Sequence, residues 1–157
     1  MKFTHFAILT ASAISAFAQL PTQKVLTVDL AQTIAQEAMM KCRADGYKVS
    51  VTVVDHTNLL KAFLRDDGAP MATVEVGRMK TNTVMAFGRA SGPPANLPAG
   101  QPAPPPLLPG TINAMGGVPI KAGDQLVGAV SVSGAPGGDK DAACANAALA
   151  KVADKLK

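Results

Sequence analysis

Histidine is scarce in this chain, and its scarcity bounds the available chemistry. The histidines are His5 and His56, and the cysteines are Cys42 and Cys144. With His5 in the expected leader at residues 1–18, two cysteines and one histidine cannot make a closed zinc site. A nucleophilic triad would have to be assembled around His56, yet no GxSxG elbow is present, and Ser131-Val132-Ser133-Gly134 does not match one. Lys80 and the Asp66-Asp67 pair are residue types that can move protons. Arg65 and Lys80 can pair with those aspartates or with ligand carboxylates, although exposed ion pairs contribute little. Binding chemistry is better represented. Gly116-Gly117, between Met115 and Val118-Pro119, permits a backbone approach that a Cβ would block, and its N–H groups are suited to a carboxylate. Ser133-Gly134 leads to Asp141 at a helix start, where backbone donors form a generic anion site. Each feature also has a plainer reading, as the entrance to a strand and as a well-capped helix.

The elements that must position these residues follow from the pattern. Thr27 or Asp29 can cap a helix running to about Ala44, and Gly46 supplies a left-handed residue beyond it. From Lys48, Val49, Val51 and Val53 alternate with Ser50 and Thr52, which predicts a strand with one buried face. Asp55-His56-Thr57-Asn58 is turn chemistry, and Leu59 to Arg65 completes an antiparallel hairpin. A second helix is predicted from about Thr73 to Ala90, with Val76, Met79, Thr83 and Phe87 on one side. The segment from Ser91 to Pro109 holds eight of the twelve prolines, which places a loop at about residues 91–112. The stretch Ala114 to Ile120 leads through a turn into Gln125–Gly134, whose mixture of Val with Gly and Ser suits a central strand. An alanine-rich helix then runs to Lys155, with acids in its first turn. The expected fold class is α/β (α+β): a mostly antiparallel sheet covered by helices.

Residues 1–18 read as a cleavable signal peptide: Lys2, then the uncharged run from Phe6 to Ala13, then Ala16-Phe17-Ala18 with small side chains where a signal peptidase accepts them. The product, residues 19–157, is the size of a single domain and keeps His56 alone as its histidine. It is expected to be periplasmic or secreted, with no membrane insertion. Without Lys2 the formal net charge of +4 becomes +3, and no Lys/Arg cluster or set of aromatics supports nucleic-acid binding. In an oxidising compartment Cys42 and Cys144, both on apolar helical stripes, are natural disulfide partners. Two buried free thiols are the alternative, and helix packing alone does not settle which holds.

Four blocks, Val53-Val54-Asp55, Leu64–Ala69 (LRDDGA), Gly116–Ile120 (GGVPI) and Val127–Gly134 (VGAVSVSG) with the following Asp141, stand in an order and spacing that resembles the HbpS/GlcG-like family of haem-binding or haem-degrading-type proteins. The resemblance covers almost all of residues 19–157. It implies a profilin- or roadblock-like α-β-α sandwich, homo-oligomers that are octameric in some members, and haem as a ligand. Haem iron takes His, Met, Cys or Tyr as its axial partner. His56 is the remaining histidine, oxidised cysteines are excluded, and Met71, Met79, Met85 and Met115 are alternatives of a type that more often fills cores.

The leading expectation is an exported binding or sensing protein. It takes haem, or a comparable small anionic or apolar ligand, between the sheet, the second helix and the GGVPI segment. Arg65, Lys80, Met115, Gly116, Gly117, Ser133 and Gly134 are its expected ligand-contacting residues, and its partners are the small molecule and further copies of itself. A ligand-free oligomerisation domain and a weak haem-degrading enzyme are the alternatives.

Overall fold

The structure is a computed structural model that describes residues 22–93 and 108–157; the expected leader and the centre of the proline-rich segment lie outside the described residues. Helix α1 (Val28–Ala44) starts where the Thr27 hydroxyl accepts the Leu30 N–H at 3.3 Å, and the chain leaves it through Asp45 and Gly46, the latter at φ +82°. Strands β1 (Ser50–Asp55) and β2 (Leu60–Arg65) form the expected hairpin, with a bulge at Val53/Val54. Its turn is organised by one carboxylate. Asp55 Oδ1 accepts the Thr57 N–H at 2.9 Å, the Thr57 hydroxyl at 2.6 Å and the Leu59 N–H at 3.2 Å, while Asn58 takes the left-handed conformation at φ +62°.

Helix α2 (Ala72–Phe87) follows, ending on Gly88 rather than continuing to Ala90 as expected. Strands β3 (Gly117–Ala122) and β4 (Gln125–Ser133) make a second hairpin, and helix α3 (Gly138–Lys151) gives way at Val152 to a short 3-10 turn, Ala153–Leu156. The sheet order is β2-β1-β4-β3 with every neighbouring pair antiparallel. Pro119 is tolerated because β3 lies at an edge. The fold is the expected α+β arrangement.

Two expectations are corrected by how the helices lie. Strand β1 is buried on both faces, not one. Val49, Val51 and Val53 join Val130, Val132 and Ile120 in the main core under α1 and α3, whereas Ser50, Thr52 and Val54 meet α2. Of the α2 side that carries Val76, Met79, Thr83 and Phe87, only Thr83 is buried; the helix buries Thr73, Gly77, Lys80, Thr81, Thr83 and Val84. This seam is polar and tight. Thr73 and Ser50 share a hydrogen bond of 2.7 Å, and Ser131 donates to the Gly77 carbonyl at 2.7 Å. A Cβ on Gly77 would stand 3.0 Å from Thr52 Oγ1, so glycine sets how closely α2 approaches the sheet. An amphipathicity rule misses such a face, since it contains little that is apolar.

On the other face α1 and α3 pack antiparallel. The end of α1 meets the start of α3, where Cys42 and Cys144 form a disulfide with Cα atoms 5.6 Å apart, and Lys24 at the far end donates to the Lys157 carbonyl at 2.9 Å. The alternative of two free thiols is thereby excluded. Both cysteines are fully buried in the core, and the bridge closes a loop of 102 residues. A crosslink of that span removes about 4–5 kcal/mol of unfolded-chain entropy. Urea unfolding with and without reductant is therefore expected to differ by roughly that amount; superimposable curves would show that the bridge contributes nothing.

Candidate functional site

The candidate site is built where β3 begins. There Val132 of β4 receives its last cross-strand partner: its N–H donates to the Gly116 carbonyl at 3.0 Å, and its own carbonyl is met by Lys80 Nζ at 2.8 Å. The lysine reaches from α2, past the end of the sheet, to Asp141 in the first turn of α3, with Nζ and Oδ2 2.7 Å apart. The two side chains are 3% and 5% exposed, so the pair joins the helices of both layers through the interior. Asp141 Oδ1 also accepts the Ala135 N–H at 2.9 Å. Burial pushes the Asp141 carboxyl above its ordinary range, outweighing the Lys80 ammonium and the Ala135 and Gly134 amides that favour its charged form.

Gly116 makes room for this arrangement. It sits at φ +123°, and a Cβ there would stand 2.6 Å from both Lys80 Nζ and the Val132 carbonyl and 2.9 Å from Asp141 Cβ. Gly117 is equally confined, by the Lys80 carbonyl and the Ser91 hydroxyl, each 2.8 Å from such a Cβ. Ser91 is buried; its hydroxyl accepts the Gly117 N–H at 2.9 Å and donates to the Ala114 carbonyl at 2.6 Å. It thus pins the chain leaving α2 to the entrance of β3.

On the outer side of Gly116 lies a cleft of about 410 Å³, walled by Arg89, Ala90, Gly92 and Pro93, by Met115 to Val118, and by Ala142 and Asn146 of α3. That volume falls within the range of small-molecule sites, about 300–1,000 Å³. Met115 is held between Gly92, where a Cβ would run into the Met115 Cγ, and Gly138, where one would stand 2.9 Å from both the Met115 Cβ and its carbonyl oxygen, while the residue itself is 42% exposed. Arg89 lies over the Phe87 ring at 5.5 Å and donates through Nη1 to the Ala90 and Gly92 carbonyls at 3.1 and 3.0 Å.

The expected ligand residues are therefore dispersed. Met115, Gly116 and Gly117 line the cleft, and Lys80 lies directly behind Gly116. Ser133 is buried at the end of β4, and Gly134, at φ +131°, abuts the Lys48 carbonyl. The donors after Ser133 hold the chain's own Asp141. Arg65 lies on edge strand β2, at the other side of the sheet from β3, and donates to the Ala69 carbonyl through Nε at 3.1 Å and Nη2 at 2.6 Å. Neither it nor Lys80 pairs with Asp66 or Asp67 as expected: Lys80 binds Asp141, and Asp66 takes Arg43 at 2.9 Å and Lys48 at 3.8 Å. His56 occupies the β1–β2 turn at the opposite end of the sheet. Sequence reasoning missed Arg89, Ser91 and Asn146; the first two sit at the junction of a helix and a proline-rich stretch, where no periodicity marks them.

The family described as haem degrading protein HbpS-like matches residues 26–150. A crystal structure of HbpS is similar over 88% of this chain and 99% of its own, with 27% identity and a TM-score of 0.72. A double mutant of HbpS from Streptomyces reticuli matches over 91% of this chain and 98% of its own, with 26% identity and a TM-score of 0.72. A PduOC–haem complex shares the fold at 19% identity and a TM-score of 0.66, covering 81% of this chain and 94% of its own. No curated protein matches the chain.

The Arg43 hydrogen bond holds Asp66 below the ordinary carboxylate range, against the opposing effect of burial. A carboxyl lowered in the folded state stabilises the fold fully above its unfolded value of about 3.9, and this support is lost as pH falls through the lower folded value. Asp141, raised by burial, acts with the opposite sign. Asp66→Asn is expected to flatten the acid limb of stability against pH in urea titrations; an unchanged limb would remove Asp66 as its source.

Proposed function

The chain belongs to the HbpS-like haem-degrading family, and on that premise we propose that it binds haem, or a similar flat apolar molecule bearing carboxylates, in the cleft at Met115–Val118. The observation that carries this reading is the cleft itself. An accessible thioether, two glycines bare of side chains and a guanidinium are brought together by Gly116 and Ser91.

The residues fit the group. Met115 is of a type that ligates haem iron, and it is the methionine lining this cleft. Arg89 spends Nη1 on two carbonyls and keeps further donors suited to a propionate. His56 is separated from the cleft by the length of the sheet, and the cysteines are joined to each other. Haem, when bound, supplies the iron and its redox chemistry. Gly116–Val118 and Arg89 would hold the group and Met115 would serve as an iron ligand, while Asp141 keeps Lys80 neutralised behind the wall.

Export accords with the leader and with the buried Cys42–Cys144 bridge. Leu59, Leu60 and Phe63, exposed on and beside edge strand β2, support self-association along that edge. No helix among the described residues is long and apolar enough to cross a membrane.

Titration with hemin is expected to give a saturable Soret shift at one equivalent. Met115→Ala should alter the ligand-field signature, and Arg89→Gln should weaken binding about tenfold through loss of a charge-assisted hydrogen bond. No saturable shift, or a shift indifferent to both substitutions, would dismiss the cleft as the haem site.

A further inference from the structure

A second cavity, of about 520 Å³, opens between the β1–β2 turn, the later turns of α2 and the chain at Leu108–Thr111. The binding chemistry assigned to the Met115 cleft does not involve it. Its lining is rich in polar groups and, among the described residues, contains no carboxylate. Its cation is Arg78, which makes no ion pair among the described residues. The guanidinium is instead fixed by neutral groups, donating to the Asn58 carbonyl at 2.7 Å and, at 3.4 Å, to Asn58 Oδ1.

Asn58 is itself fixed. It stands in the left-handed conformation at φ +62°, and its Nδ2 donates to Asn82 Oδ1 at 2.9 Å. Asn82 Nδ2 in turn donates to the Gly110 carbonyl at 2.9 Å. This relay of amides holds the arginine fork in place and leaves its charge unneutralised. The nearby carboxylate of the turn, Asp55, is committed to Thr57 and Leu59, with Lys61 at 3.9 Å. His56 lines the same cavity, and its buried Nδ1 has no hydrogen-bond partner among the described residues.

A positioned guanidinium that shares a polar cavity with an imidazole, and has no carboxylate among the described lining residues, selects oxygen-bearing negative charge, and the planar fork favours two oxygens at once. We propose that this cavity is a second binding site, taking a small oxyanion such as a phosphate- or carboxylate-bearing metabolite, with Arg78 as its anchor and His56 as a neighbouring contact. It is independent of the cleft at Met115.

The test is a titration of the full chain, followed by amide and imidazole NMR, with inorganic phosphate in one series and succinate in another, at constant ionic strength. Saturable shifts clustered at His56, Asn58, Asn82 and Gly110 are expected with at least one anion, and the series that saturates at the lower concentration identifies the preferred oxyanion. Arg78→Gln should weaken that binding about tenfold or more. Arg78→Lys keeps the charge without the fork and should also weaken it; that variant gives the reading if Arg78→Gln does not fold. Met115→Ala should leave it unchanged. The proposal is overturned if neither anion produces a saturable, clustered response up to tens of millimolar, or if affinity is indifferent to loss of the Arg78 fork.

Discussion

An ammonium and a carboxylate face each other 2.7 Å apart in the interior of this protein, and the surrounding structure is arranged so that neither is left unpaired. Removing two charges from water costs several kcal/mol per ion even after relaxation, and only close geometry with further hydrogen bonds offsets it. Both conditions are met. Lys80 has the Val132 carbonyl as a second acceptor, and Asp141 has the Ala135 amide as a second donor. Each of these partners exists because a regular element stops at that point: β3 has not yet begun, and the chain is turning from β4 into α3. The pair therefore ties α2, on one side of the sheet, to α3 on the other.

The position of the cleft follows from that pair. Space for the Lys80 head group requires a residue without a side chain at Gly116, and the backbone of that same residue lines the cleft. Met115 is confined beside it by Gly92, which packs against the base of its side chain, and by Gly138, which packs against its Cβ and carbonyl. Ser91 fixes the remaining wall by bonding both Ala114 and Gly117. The proposed ligand surface and the interior ion pair thus share one glycine. The arginine-lined cavity along α2 rests on different supports, the Asn58–Asn82 relay, so the two sites are separable by mutation.

Much of the scaffold was legible in the sequence. Thr27 and Gly46 marked the ends of α1, alternating valines marked β1, turn residues from Asp55 to Asn58 marked the hairpin, and the GGVPI block marked the entrance to β3. These signals are local, and local geometry honours them. The inward face of α2 was not legible, because its contact with the sheet is made by Thr73, Gly77 and Lys80 rather than by an apolar stripe. Nor could the partner of Lys80 be read. Asp141 is 61 residues away, whereas Asp66 and Asp67 are nearer in the chain, and only the sheet topology decides between them. The disulfide stood open for the same reason: the pairing of Cys42 with Cys144 depends on how two distant helices lie.

The most direct test of the buried pair is a double-mutant cycle on stability with Lys80→Met, Asp141→Leu and the combination, measured by urea unfolding at neutral pH. Each single change leaves one buried charge without its partner and is expected to cost about 3–5 kcal/mol. The double change should cost less than the sum, recovering most of one single loss, because no charge remains buried. Small and additive effects would contradict a structure organised around the Lys80–Asp141 pair.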